Sequence, residues 1–206
     1  MMLNLNNIYP VISPAQYYSK EWDLPHYKLP DAAFILTWVI LDEEEAGMEY
    51  LTRDEYQYLA KTHKGWQQKT FENLRQSLAE DENFFTQHQL SDDGQRIILL
   101  AFMHNDGIGS SRILLSEELE AAFPNGYYLA VPDRCCGLVI SKDATYAELQ
   151  EIRSLVRHMF ETANIPLSDQ LYASEGFNVP GNWTQPIDYN LSNLLVNEVS
   201  KLREEL

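Results

Sequence analysis

The chain has 206 residues, 45% of them hydrophobic, and its 15 Lys and Arg residues against 31 Asp and Glu residues give a formal net charge of −16. The hydrophobic fraction is sufficient for a buried core, so it excludes an intrinsically disordered chain. The negative charge repels nucleic-acid phosphates and anionic membrane surfaces, so neither is expected as a partner. A basic protein is the partner class that this charge favours.

Two adjacent cysteines and the first residues of the chain indicate a reduced cytoplasmic protein. Neighbours such as Cys135 and Cys136 form a disulfide only through a strained ring, and two thiols alone do not make a zinc site. Residues 1–13 have neither a basic segment nor an apolar core, so no signal peptide is expected. The longest apolar run, residues 32–41, is about half of the ~20 residues that span a bilayer.

The first part of the chain combines proline with aromatic residues. Proline disfavours helices and central strands, whereas aromatic side chains need burial, so residues 1–31 are predicted to form an extended arm packed on the domain. Residues 33–41 are continuously apolar and predict a central strand that is covered on both faces. The prolines and aromatic residues of the arm are Pro10, Pro14, Pro25, Pro30, Tyr9, Tyr17, Tyr18, Trp22 and Tyr27.

Two consecutive helices are predicted after this strand. Thr52 and Glu55 have the spacing of a capping box, which begins the first helix. A break at Gly65 separates it from a second helix that begins near Trp66, where apolar residues share one face. An acidic turn at residues 80–82 ends the second helix.

Strands are predicted in two pairs. Residues 84–89 and 95–103 are expected to form a hairpin around the turn at residues 91–94, which carries Asp and Gly. Residues 127–131 and 137–140 are apolar runs joined by a polar turn, and they predict the second pair.

The remaining helices are predicted from caps and apolar stripes. A helix is expected within residues 110–123, in two pieces that separate at Ser116. Thr145 and Glu148 form a second capping-box pattern and begin the clearest amphipathic helix, which ends before Pro166.

The C-terminal part is less regular until its last segment. Residues 168–173 fit either a strand or a short helix, and residues 176–186 are rich in Gly and Pro, which predicts a loop. Asp188 is expected to cap a final amphipathic helix over residues 188–206.

Strands and helices in this order predict an α+β fold. The expected architecture is a mostly antiparallel sheet of four to six strands with helices packed chiefly on one face. Since neither a repeat nor a shift in composition marks a boundary, residues 1–206 are predicted to form a single domain.

Four segments in a fixed order resemble a known family. They are AKTHKGWQQKTFENLRQSL with its Asn73-Leu74 pair, DGIGSSRILL, FPNGYYLAVPDRCCGLVI and IPLSDQLY. Over about residues 50–175 the chain resembles the bacterial YtpQ-like family of uncharacterised proteins. The resemblance implies a mixed α+β fold and a cytosolic bacterial protein. It implies no catalytic residue, because the family has no established activity.

Glycine and serine residues between a predicted strand and a predicted helix have two interpretations. The first is an anion-binding site formed by Gly109, Ser110, Ser111 and Arg112, joined by Arg134, because backbone N–H groups and guanidinium groups bind phosphate. The segment nevertheless lacks the Lys and the spacing of a nucleotide-binding loop. The second interpretation, which we favour, is a tight turn with Ser110 or Ser111 as a helix N-cap.

Signals for catalysis and for metal binding are weak. His104, Asp106 and Ser110 or Ser111 are residue types of a catalytic triad, but the nucleophile-elbow motif is missing, so no catalytic residue is predicted. The five histidines are scattered without metal-binding spacing, so no metal or other cofactor is expected. One of the adjacent cysteines has either a reactive thiol or, as we favour, an unreactive thiol that only contributes to packing.

Charge and composition favour a non-catalytic acidic protein-binding module. It is expected to dock a basic partner through an acidic surface and through aromatic residues of the arm or of the loop around Trp183. The acidic runs at residues 42–45 and 80–82 are interpreted as solvated faces, and the alternative is that together they form an acidic platform for a basic protein. An immunity-type inhibitor of a basic toxin or nuclease is one specific form. The alternative is an anion- or phosphate-ligand-binding protein or enzyme that uses residues 107–112 and Arg134.

Overall fold

A computed structural model describes residues 3–18, 22–30, 33–42, 47–79, 84–188, 191 and 193–206. Residues 43–45 and 80–82, which make up most of the two acidic runs, lie outside this part of the chain. Among the described residues, each helix falls short of the length and hydrophobicity that a membrane crossing needs.

The first sheet is built around one long buried strand. Its four strands are β1 (Ile8–Pro14), β2 (Tyr27–Lys28), β3 (Phe34–Asp42) and β4 (Gly47–Tyr50). All three other strands pair with β3 in antiparallel orientation, which confirms the central strand predicted over residues 33–41. β1 pairs with β3 from Ile8 opposite Ile40 to Pro14 opposite Phe34, so part of the segment expected as an arm is a strand of this sheet. Among the described strands β1 pairs only with β3, and such an edge tolerates proline.

The two predicted helices after the first sheet are present. They are α1 (Arg53–Thr62) and α2 (Trp66–Ala79). The capping box is confirmed, since the Glu55 N–H donates to Thr52 Oγ1 over 3.3 Å and the Thr52 N–H donates to Glu55 Oε2 over 2.8 Å. Gly65 has a φ of +76°, and this left-handed conformation produces the break between the helices.

The second sheet has five antiparallel strands in the order β5-β6-β8-β7-β9. They are β5 (Gln87–Leu90), β6 (Ile97–Met103), β7 (Tyr127–Asp133), β8 (Cys136–Ser141) and β9 (Leu171–Ala173). Both predicted strand pairs are therefore confirmed, and the ambiguous residues 168–173 contain a short strand. A 3₁₀ turn (Gly109–Leu114) and α3 (Ser116–Ala122) confirm the divided helix, with its separation at Ser116.

The remaining helices lie after the second sheet. They are α4 (Tyr146–Thr162), α5 (Gly181–Thr184) and α6 (Leu194–Glu204). The Thr145–Glu148 capping box at the start of α4 is confirmed. The short helix α5 lies within the segment predicted as a loop. Of the final helix predicted over residues 188–206, the described structure contains α6.

Two hydrophobic clusters fill the space between these layers. The larger cluster joins the first sheet, α2, α6 and one face of the second sheet, and Trp38, Phe71 and Phe102 lie at its centre. The smaller cluster lies between the other face of the second sheet and α4, where Ile152 and Val156 are buried. The α+β, mostly antiparallel fold class is confirmed, with the strands divided between two sheets.

A buried ion cluster connects the helices around the larger core. The fully buried Arg75 on α2 forms ion pairs with Glu118 on α3 and Glu72 on α2, and it donates to the Thr184 carbonyl on α5. Glu72 in turn accepts from the backbone N–H groups of residues 187 and 188. Burial raises the pKa of Glu118, and the Arg75 guanidinium opposes that shift. Arg75 therefore keeps a buried carboxylate compensated at the junction of three helices.

We predict that Arg75→Met lowers the free energy of unfolding by about 3–5 kcal/mol, because it leaves buried carboxylates without their cation. Arg53→Met is the matched control, since the ion pair of Arg53 with Asp23 is exposed to solvent and its loss should change the stability little. Urea denaturation of both variants measures the difference. Equal losses in the two variants would contradict a stabilising role for the buried cluster.

Candidate functional site

The segment between β6 and α3 begins with the predicted tight turn. Gly107 has a φ of +76°, which favours glycine, and Asp106 Oδ1 accepts from the Ile108 N–H over 3.0 Å. The 3₁₀ turn that follows is buried along its whole length. Gly109, Ser110 and Ser111 therefore lie inside the molecule, in a turn that contacts both sheets.

Gly109 and Gly137 allow two backbone segments to pack directly against each other. A methyl group at Gly109 would collide with the Cys135 carbonyl and would lie 2.7 Å from the His104 carbonyl oxygen. A methyl group at Gly137 on β8 would lie 2.8 Å from the Ser110 carbonyl oxygen. Close packing thus accounts for glycine at these positions.

Ser110 and Ser111 connect the turn to its neighbours. Ser111 Oγ accepts from the Ile12 N–H on β1 over 3.1 Å, and the Ser110 N–H donates to the Arg134 carbonyl over 3.2 Å. The prediction that one of these serines is a helix N-cap is wrong, because the turn already begins at Gly109 and both serines lie inside it. The Ser110 hydroxyl is buried and has no hydrogen-bond partner within the described residues.

Arg112 is buried beside a carboxylate of its own loop. Its side chain is 1% exposed, and Nη2 donates to Asp106 Oδ2 over 2.6 Å and to Ser77 Oγ over 3.1 Å. In the described part of the chain, Nε and Nη1 have no hydrogen-bond partner. The Asp106 carboxylate thus already supplies one anionic partner for this guanidinium.

Arg134 lies in the turn between β7 and β8 and reaches the first sheet. Its Nη2 atom is 3.2 Å from Tyr50 Oη and 3.3 Å from Met48 Sδ, both on β4. The structure brings Ser110 and Arg134 together through a backbone hydrogen bond, whereas the guanidinium groups of Arg112 and Arg134 contact different residues. Anion binding by these residues stays a prediction.

Aromatic side chains extend the contact between Arg134 and Tyr50 to the surface. The ring of Trp22 lies 5.2 Å from that of Tyr50 in an edge-on arrangement and 5.8 Å from that of Tyr17. Trp22 is 45% exposed and Tyr18 is 46% exposed. We call Tyr17, Tyr18, Trp22, Tyr50 and Arg134 the aromatic–arginine patch.

The composition of the N-terminal segment indicated part of this patch. Arg134 was predicted only as an anion-binding residue and Tyr50 was not predicted, because the two residues meet only when the sheets pack together. Trp183, expected as an exposed aromatic residue, packs instead against Tyr27 and Trp38 at centroid distances of 5.4 and 5.8 Å. It belongs to the periphery of the larger core.

Carboxylates accompany the patch residues along the chain. Asp23 follows Trp22, Glu49 precedes Tyr50 and Asp133 precedes Arg134. A hydrogen bond from Arg53 holds the pKa of Asp23 below its usual value, so Asp23 is ionised at neutral pH. Two of these carboxylates are engaged within the chain, Asp23 by Arg53 and Asp133 by the N–H groups of Cys135 and Ile165.

Groups with chemical reactivity are engaged in structural contacts. The Asp106 carboxylate binds the Ile108 N–H and Arg112, and the Ser111 hydroxyl binds the Ile12 N–H, so neither is placed as in a catalytic triad. Both cysteines are free thiols, and burial raises the pKa of Cys135 and raises that of Cys136 to about 12. Protonated thiols are poor nucleophiles, which supports inert packing.

Metal binding finds no support in the described residues, which contain no group of three or more His, Cys, Asp or Glu side chains placed to hold an ion. No family model, curated protein or solved structure matches this chain. Membership of the YtpQ-like family stays a prediction.

Proposed function

We propose that this chain is a non-catalytic protein-binding module that docks a basic protein through the aromatic–arginine patch. Tryptophan, tyrosine and arginine are the residues that most often dominate protein–protein binding energy. The observation that supports the proposal is the exposed Trp22, whose ring contacts those of Tyr17 and Tyr50. Arg134 lies over the ring of Tyr50. An immunity-type inhibitor of a basic toxin or nuclease is the specific form of this proposal.

The net negative charge of the chain is the reason for proposing a basic partner. A net charge of −16 accelerates the encounter with a basic protein. The Debye length is about 8 Å at physiological ionic strength, so salt weakens the long-range part. The apolar rings of the patch provide the part of the affinity that salt does not screen.

A cytoplasmic location and membership of the YtpQ-like family belong to the same proposal. Free cysteines with raised pKa values suit a reducing compartment. The order of the four resembling segments supports the family.

We predict that immobilised protein retains a basic protein from a native lysate of the source cells and that Trp22→Ala loses it. Removing a central interface tryptophan costs about 2 kcal/mol or more, which corresponds to about 30-fold in affinity. Tyr58→Ala is the control, because Tyr58 on α1 is as exposed as Tyr18 and lies outside the patch.

Quantified retention at low and at physiological salt tests this prediction. We expect the native protein and Tyr58→Ala to retain the basic protein. Both should retain less of it at physiological salt than at low salt. Equal retention by all three proteins would show that the patch is not the docking surface. Failure to retain any protein at either salt concentration would contradict the proposal as a whole.

Anion binding at Arg112 is the second candidate function. It is supported by the buried Nε and Nη1 atoms of Arg112, which have no partner among the described residues. An inorganic phosphate ion offers acceptors that match these donors.

We predict for this candidate that phosphate raises the melting temperature with a saturable concentration dependence. A ligand at 100 times its dissociation constant stabilises the fold by about 2.7 kcal/mol. Arg112→Lys, which loses the planar fork, should abolish the saturation at matched ionic strength. A linear dependence with equal slopes in both proteins would exclude the site.

A further inference from the structure

Strand β5 forms an edge of the second sheet. Among the described strands only β6 pairs with it, so its outer backbone groups have no strand partner there. Exposed edges are usually blunted by charged residues or by proline. β5 is four residues long and its register shifts between Gln89 and Leu90, but its sequence Gln-His-Gln-Leu contains neither proline nor an Asp, Glu, Lys or Arg residue.

An apolar groove runs along one face of this edge. It has a volume of about 410 Å³ and lies between β5 and α4. Met103 on β6 and Leu155 on α4 are about 40% exposed at this groove, whereas Leu99 and Ala101 of its lining are buried. The groove is lined by Gln87, His88, Gln89, Leu99, Ala101, Met103, Leu138, Leu155 and Met159.

A polar cavity lies on the opposite face of the same edge, beneath α6. It has a volume of about 400 Å³, and its charged lining residues are Glu198, Lys201 and Glu205. Glu198 Oε1 accepts from the Phe84 N–H over 2.6 Å, whereas Glu198 Oε2 is buried without a hydrogen-bond partner in the described structure. Burial raises the pKa of Glu198, and an added cation would reverse that shift.

The two cavities match the alternation of side chains along a strand. Successive side chains point to opposite faces. Gln87 and Gln89 lie opposite Ala101 and Leu99 on the groove side, whereas His88, which borders both cavities, lies opposite Leu100 of the larger core. A strand added at this edge would alternate in the same way. Its side chains would enter the apolar groove and the acidic cavity in turn.

We propose that β5 binds an extended segment of a partner protein in which apolar side chains alternate with Lys or Arg. Main-chain hydrogen bonds to β5 hold the segment, the apolar side chains fill the groove, and a basic side chain meets Glu198 and Glu205. The proposal goes beyond the patch-mediated docking proposed above, because it uses other elements of the fold and a different mode of recognition.

The probe is a short peptide of alternating valine and lysine, compared with a peptide of the same composition in which the valines and lysines form two blocks. Both peptides carry the same charge, so general attraction to the acidic protein acts on them equally. We expect the alternating peptide to bind at least tenfold more tightly in fluorescence anisotropy. We also expect it to slow amide hydrogen exchange within Gln87–Leu90.

Variants of the protein test the contribution of each cavity to peptide binding. Leu155→Glu should lower the affinity for the alternating peptide at least tenfold. Tyr146→Glu, which adds the same charge to an exposed position on the same helix, should leave that affinity unchanged. Glu198→Gln retains an acceptor for the Phe84 N–H. It should lower the affinity for the alternating valine–lysine peptide but not the affinity for a valine–threonine peptide. Trp22→Ala should leave all of this binding unchanged, which distinguishes this surface from the patch.

Three results would overturn the proposal. The first is equal binding of the alternating and block peptides, and the second is unchanged hydrogen exchange in β5 on saturation. The third is a dimer in sedimentation velocity that Leu155→Glu dissociates, since the occupant of the edge would then be a second copy of this chain.

Discussion

The buried turn Gly109–Leu114 holds the two sheets together. It contacts β6, β7 and β8 of the second sheet and β1 of the first, to which it is bonded through Ser111 Oγ and the Ile12 N–H. Such close approach requires glycine at positions 109 and 137, because a methyl group would displace backbone atoms. Sequence features that resemble a phosphate-binding loop thus also meet the requirements of a packed junction.

The surface proposed to bind a partner depends on this junction. Arg134 belongs to the β7–β8 turn of the second sheet, and Tyr50 belongs to β4 of the first. Their contact forms only when the sheets are packed at the correct distance, and the Ser110–Arg134 backbone hydrogen bond holds the turn in place. The ring of Tyr50 in turn contacts the ring of Trp22 in an edge-on arrangement. A rigid support lowers the entropy that a partner-binding side chain loses on binding.

Local signals predicted the elements well, whereas contacts between distant residues were not predictable. The capping boxes at Thr52 and Thr145, the break at Gly65 and the hairpin turn at residues 91–94 each depend on neighbouring residues, so the sequence shows them directly. The division of the strands into two sheets depends on pairs such as Ile8 with Ile40. The partners of Arg112 and the support of Trp22 depend on contacts of the same kind, which leave no periodic pattern in the sequence.

Comparison of Gly109→Ala with Gly181→Ala in urea denaturation tests the role of the turn most directly. A methyl group at Gly181 meets no atom within 4 Å, whereas one at Gly109 collides with the backbone carbonyl of Cys135 in the β7–β8 turn. The junction predicts a loss of about 3 kcal/mol for Gly109→Ala, the upper range for overpacking, and a near-neutral Gly181→Ala. Unfolding of both variants at the same urea concentration would contradict a packed junction at residue 109.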